Sequence, residues 1–210
     1  LLIMSALGLF TFYSTKLAFI ITFYIIGADQ NFGKMDHNNA LAMVAFAVFA
    51  FSRCGDSFSI DSLFKKTKLS FSSSYFWPLK LLKVYICLIY FSAGFWKLQT
   101  SGLEWMFSDN IKNLLLLKGQ EWGLVVAQYD FLCQSIAVFT IFIELFAPLA
   151  LLGGRWALFF ISGLFFMHLG SYVLMGVDAD FRMQMAVSLL WVPWNQFIKY
   201  FSKNDRLSSL

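Results

Sequence analysis

The chain has 210 residues, of which 59% are hydrophobic, 20% are aromatic and only 13% are charged. Its mean hydropathy of +0.68 excludes an ordinary soluble globular protein and indicates an integral membrane protein that is surrounded by the lipid bilayer. The net charge of +4 is small and scattered, so no nucleic-acid partner is expected.

The cysteines and the common catalytic motifs exclude several classes of site. Cys54, Cys87 and Cys133 are an odd number of cysteines without paired spacing, so the sequence predicts neither a disulfide framework nor a metal site. It contains no glycine-rich nucleotide loop, no GxSxG elbow and no HExxH pair.

Seven apolar stretches, several of them shorter than the roughly 20 residues that cross a bilayer, predict an all-α, multi-pass transmembrane bundle of six to seven helices. They lie at 1–13, 17–27, 39–53, 79–98, 131–152, 156–176 and 183–198. The first two are separated only by Ser14, Thr15 and Lys16, which form either a tight turn or a polar notch in one long helix. We predict the turn, and therefore two helices.

No soluble domain or internal repeat interrupts this pattern, so residues 1–210 are interpreted as a single transmembrane domain. Because the chain opens within a hydrophobic segment and without an initiator methionine, it is also interpreted as N-terminally truncated.

Alternation of the spans assigns each loop to one of two faces, and eleven of the 16 lysines and arginines fall on one of them. The positive-inside rule predicts that this face, with the C-terminus, is cytoplasmic and that the opposite face is periplasm, cell exterior or organelle lumen. The eleven residues are Lys16, Arg53, Lys65, Lys66, Lys68, Lys80, Lys83, Arg155, Lys199, Lys203 and Arg206. Lys97 and His37 fall on the opposite, extracytoplasmic face.

The link between the fourth and fifth spans predicts an interfacial helix near 108–120. Ser108 or Asp109 is expected to cap it, and Gly119 is expected to end it. Its leucine run at 114–117 lies either on the membrane surface or within the bundle. Such a helix either roofs a cavity or is simply interfacial.

Two ionisable residues lie well inside the apolar segments, where burial of a charge is costly. Glu144 precedes Pro148, which weakens the local helix, and His168 lies at mid-depth in the following segment. Each is either a cavity residue or part of an interhelical hydrogen bond that fixes packing.

Lys97 also has two interpretations. Beside Trp96 and near a helix end, it is typical of a lysine that extends to the membrane surface next to an interfacial aromatic ring. It is equally a candidate base, with His37 at the start of another segment on the same face.

Several stretches occur in the order and spacing of one membrane domain. They are "LGLFTFYSTKL", "MDHNNALAMVAFAVFAFSRCGDSFSID", "YFSAGFWKLQTSGLEWMFSDNI", "IELFAPLALLGGR", "MHLGSYVLMG" and "FRMQMAVSLLWVPW". Together they resemble the horizontally transferred transmembrane (HTTM) domain, which vitamin K-dependent gamma-carboxylase shares with bacterial relatives. The most specific features are the Lys97–Leu98 pair followed by Trp105, and His37 beside Asn38 and Asn39.

The resemblance implies a membrane-embedded site that opens to the extracytoplasmic side. By this resemblance, Lys97 would deprotonate a reduced vitamin K or menaquinol-type quinol in that site, and oxygen would then convert the quinol to a strong base. That base removes a proton from a glutamate side chain, carbon dioxide traps the carbanion, and His37 assists this step. A secreted peptide and a quinone reductase are the implied partners.

The remaining candidate residues for the substrate site or its cavity are Trp96, Trp105, Asn38, Glu144 and His168. At Trp96 the animal carboxylases have a second lysine, so the substrate of this chain is open. The alternative is a non-catalytic maturation or immunity factor for a secreted peptide. A transporter, with Glu144 and His168 relaying protons, is the third possibility.

Overall fold

The computed structural model describes residues 1–30, 37–56, 59–64 and 76–192, and every regular element in these ranges is helical. This confirms the all-α prediction. The α-helices are α1 Leu2–Leu7, α2 Thr11–Gln30, α3 His37–Phe51, α4 Ile60–Phe64, α5 Trp77–Ser101, α6 Glu104–Phe107, α7 Asn110–Lys118, α8 Glu121–Val126, α9 Asp130–Phe146, α10 Gly154–Met175 and α11 Asp178–Ser188. Short 3₁₀ helices cover Cys54–Asp56, Ala147–Leu152 and Leu189–Trp191.

Within the described residues, four helical segments are long and apolar enough to cross a membrane. They are Thr11–Ala28, Trp77–Ser101, Asp130–Leu152 and Gly154–Met175. This is fewer than the six to seven predicted, partly because the apolar part of α3, Ala40–Phe51, is shorter than a span. Of the seventh predicted segment, residues 193–198 lie outside the described residues. The chain divides into two compact units, Leu1–Thr100 and Ser101–Leu210.

In the first unit, the predicted turn at Ser14–Lys16 is wrong. Helix α2 runs without interruption through these residues, and the break lies earlier, at Gly8–Phe10. Gly8 (φ 66) adopts the left-handed conformation that ends α1, and Phe10 (φ 47), just before α2, also has a positive φ. The hydroxyl of Thr15 donates a hydrogen bond to the Thr11 carbonyl oxygen at 2.7 Å, so this side chain is accommodated within the helix.

The start of α2 is stabilised by a residue that lies far away in sequence. The carboxylate of Asp61, in α4, accepts hydrogen bonds from the backbone N–H groups of Phe10 at 2.9 Å and Thr11 at 2.6 Å. The Asp61 N–H in turn donates to the Gly8 carbonyl oxygen at 3.0 Å. A negative charge on otherwise unpaired N–H groups at a helix N-terminus is favourable, so Asp61 caps α2 and ties α4 to it.

Replacement of Asp61 by alanine is expected to lower the free energy of unfolding by about 1 to 2 kcal/mol, because the two N–H groups lose their acceptor. Asp61→Asn, which keeps one acceptor oxygen, is expected to lose less. Thermal unfolding in detergent micelles measures both effects. An Asp61→Ala protein as stable as Asp178→Ala, which removes only an exposed Asp178–Arg182 ion pair, would contradict the capping role.

In the second unit, α9 ends at Phe146, two residues before Pro148, at the point where the sequence predicted a weakened helix. Proline has no N–H to donate to the carbonyl oxygen four residues earlier, that of Glu144. The N–H of Ala147 bonds to that oxygen instead, and the chain continues as a 3₁₀ helix to Leu152 before α10 begins at Gly154. At the packing of α9 on α10, the Ile143 side chain occupies the space that a Cβ at Gly163 would need.

The predicted interfacial helix is α7, which ends at Gly119 as expected. Its N-cap residue is Asp109, one of the two residues predicted, but the Asp109 side chain makes no capping hydrogen bond. The backbone carbonyl of Asp109 accepts the Asn113 N–H at 2.7 Å, which is the first regular hydrogen bond of the helix. Leu115 is buried with Ala127 and Cys133, whereas Leu117 is 82% exposed. One leucine of the run is therefore packed into the unit and another lies on its surface.

Candidate functional site

Lys97 lies near the end of α5, a 25-residue helix that is long and apolar enough to span a bilayer. Its side chain is half-buried, and Gly94, one turn earlier, is buried. The hydroxyl of Thr100 donates to the Trp96 carbonyl oxygen at 2.8 Å, a bond that threonine side chains commonly make to the preceding turn of a helix. Lys97 therefore lies within a regular helix and close to the end of that helix, as the sequence predicted.

Trp96, a candidate residue for the cavity, is 64% exposed, and the adjacent Phe95 is 50% exposed. The Phe95 ring stacks on that of Phe91 at a centroid distance of 5.9 Å. An exposed tryptophan near the end of a span is typical of the aromatic belt at a membrane surface. These rings therefore form an outward-facing aromatic strip on α5.

His37 and Asn38 are the first two residues of α3. Their side chains lie outside the described residues, so the pairing of Lys97 with His37 stays a prediction. Trp105 belongs to α6 in the second unit, where its side chain is half-buried and its carbonyl oxygen accepts the Asn110 side-chain amide at 3.4 Å.

Glu144 is only 5% exposed. It lies in the last turn of α9, and the substitution of the Ala147 N–H for that of Pro148 alters the backbone beside it. A carboxyl group at such a position costs free energy unless it is hydrogen-bonded or neutral. Glu144 is therefore a buried ionisable residue of the second unit, as the sequence indicated.

His168 lies on the face of α10 that meets α11. Phe165 and Tyr172, on the same side of the helix by the three- to four-residue spacing, both contact the Phe181 ring of α11. The centroid distances are 5.6 Å and 5.3 Å. His168 is half-buried between these two positions.

Gln184 is a buried polar residue that the sequence reasoning missed. It is 1% exposed and follows Phe181 by one turn of α11, so it lies on the side of α11 that faces α10. Its side-chain amide donates to the Ser188 hydroxyl oxygen at 3.5 Å, and that hydroxyl donates to the Gln184 carbonyl oxygen at 2.8 Å. The interface of α10 and α11 thus contains the side chains of His168 and Gln184 together with several aromatic rings.

An ion pair joins α7 to the start of α9. The Lys112 ammonium lies 2.6 Å from an Asp130 carboxylate oxygen. The hydrogen bond to Asp130 and the charge of that carboxylate raise the pKa of Lys112 from its ordinary value of 10.5.

The sign of this pKa shift gives a pH dependence. A pKa raised by folding means that the stabilisation is complete below pH 10.5 and is lost as the pH rises through the raised value. We expect Lys112→Met to be slightly less stable than the native protein at neutral pH, with the difference vanishing at strongly alkaline pH. Unfolding temperatures at both pH values, with Lys118→Met as the control, measure this. A difference independent of pH would show that lost packing, not the ion pair, is responsible.

In the ranges that the structure describes, no three or more histidine, cysteine, aspartate or glutamate side chains are placed to hold a metal ion. No protein-family model, curated protein or solved structure matches the chain significantly. The functional interpretation therefore depends on the sequence resemblance at Lys97, His37 and Trp105.

Proposed function

We propose that the protein is a multi-pass integral membrane enzyme of the vitamin K-dependent gamma-carboxylase type, with an HTTM-like fold and Lys97 as its base. What supports the proposal is the resemblance of Lys97, Leu98 and Trp105 to the most specific motif of that domain. The half-buried position of Lys97 near the end of an apolar helix supports it. We place the protein in a bacterial cytoplasmic membrane, with the C-terminus cytoplasmic and Lys97 at the extracytoplasmic side.

The chemistry sets a clear requirement for Lys97. An ammonium group has no lone pair, so the neutral amine must be the form that accepts the hydroxyl proton of the quinol. Addition of oxygen to the quinol anion, proton removal from a glutamate γ-carbon and addition of carbon dioxide to the carbanion would follow.

The experiment that tests this function measures the consumption of reduced vitamin K or menaquinol by membranes that contain the protein. We expect oxygen-dependent consumption above that of matched membranes without the protein, and none above that background when oxygen is absent. Equal rates with and without the protein would exclude quinol chemistry for both quinols.

One observation favours the alternative, a non-catalytic maturation or immunity factor. The 64% exposure of Trp96 is what a surface anchor for α5 requires, and a lysine beside it then extends to the membrane surface. In that case arginine in place of Lys97 preserves function, because the positive charge remains.

A further inference from the structure

A cavity of about 600 Å³ lies in the first unit, where α2 begins and α3 ends. Its wall is completed by the 3₁₀ helix Cys54–Asp56 and by Asp61. Exposed aromatic side chains surround it: Phe10, Phe12, Tyr13 and Phe51. The site combines charged groups with aromatic rings at the end of a helix that is apolar enough to cross a bilayer. That combination is typical of the level of lipid headgroups.

Both carboxylates of this cavity interact with donors of the protein, and the Lys16 ammonium is the group that is placed to bind an anion. The Asp61 carboxylate is bound by two backbone N–H groups of the α2 N-terminus. That of Asp56 lies 2.7 Å from the Arg53 guanidinium. The Lys16 ammonium lies 3.3 Å from the centroid of the Phe12 ring, and contact with a ring face leaves its N–H donors able to bind an anion.

A second cavity, of about 480 Å³, shares Thr11, Thr15 and Cys54 with the first as wall residues. No charged side chain lines it. Its wall includes the apolar residues Leu2, Ala6, Phe46 and Phe49. A charged cavity therefore adjoins an apolar one, which is the arrangement that an amphiphile requires.

We propose that these adjoining cavities bind one anionic phospholipid, with its phosphate at Lys16 and part of an acyl chain in the apolar cavity. The proposal rests on the membrane location that we propose for α2, but not on the chemistry proposed for Lys97. A phosphate is favoured over a neutral ligand because the carboxylates of the cavity already have their own donors. The aromatic rim favours a lipid over a free anion in solution.

Native mass spectrometry of the detergent-purified chain, with added phosphatidylglycerol or phosphatidylcholine of the same acyl chains, tests the proposal. The native protein is expected to retain phosphatidylglycerol preferentially. Lys16→Gln is expected to weaken that retention about fivefold, because one lysine near an anionic headgroup is lost. Lys16→Arg keeps the charge and is expected to retain the lipid. Lys80→Gln, which neutralises an exposed lysine of α5 outside the cavity, is the matched control.

Equal retention of the two lipids by the native protein would overturn the proposal. So would a Lys16→Gln protein that retains phosphatidylglycerol as the native protein does, or an equal loss in Lys80→Gln. If Lys16→Gln unfolds, loss of lipid from a folded Lys16→Arg protein decides against the site. Quinol consumption measured on the same variants separates the two proposals, since Lys16 has no part in the chemistry assigned to Lys97.

Discussion

Replacement of Lys97 by alanine or by arginine is expected to reduce oxygen-dependent quinol consumption by about 10²- to 10⁴-fold, the usual contribution of a positioned base. Alanine removes the amine. Arginine keeps the positive charge and most of the length, but its guanidinium does not give up its proton at any pH that the protein tolerates. A base therefore fails in both variants, whereas a lysine that only reaches the membrane surface is replaced by arginine without loss.

The control for this prediction is Lys118→Ala, which removes an exposed lysine from the last turn of α7. It is expected to leave quinol consumption unchanged. All variants are compared at equal amounts of protein in the membrane, so that a folding defect is not counted as a loss of chemistry. Full activity in Lys97→Arg would refute the base assignment and favour the non-catalytic alternative.

Gly123→Ala is expected to have the largest effect on stability. A Cβ at this position would overlap the Leu174 carbonyl oxygen. The backbone of α8 has little freedom to move away, because the Gln120 N–H donates to that same oxygen at 2.8 Å. Overpacking against backbone costs about 3 kcal/mol, so we expect a large fall in the unfolding temperature in micelles and poor accumulation in the membrane.

Gly170→Ala is the matched control, since it makes the same substitution within α10 where, apart from the adjacent helix backbone, no described atom lies within 4 Å of the new methyl group. Alanine is the better helix former by about 1 kcal/mol. This variant is expected to be at least as stable as the native protein. Equal stability of the two variants would show that α8 does not pack against the end of α10 as described.

The features that were predicted correctly depend on local sequence. Long apolar runs are sufficient to indicate α5, α9 and α10, because the length and composition of such a run determine whether a helix can cross a bilayer. The weakening of α9 before Pro148 follows from the missing N–H of that residue. The position of Lys97 close to the end of α5 follows from the polar residues after it.

The features that were missed depend on contacts between distant residues. The break before α2 is held by Asp61, which is 50 residues away from Thr11, and the serine and threonine that suggested a turn are equally compatible with a helix. The burial of Gln184 depends on how α11 packs on α10, which the spacing of one glutamine does not reveal. The exposure of Trp96 likewise depends on which face of α5 is covered.

The most direct test of the central claim is mass spectrometry of glutamate-containing secreted peptides that are co-expressed with the chain and supplied with reduced quinol. We expect glutamates heavier by the mass of one carbon dioxide with the native protein, and none with Lys97→Ala. Peptides that stay unmodified although the native protein is folded in the membrane and consumes quinol would contradict carboxylation. Modification that persists in Lys97→Ala would contradict the assignment of Lys97 as the base.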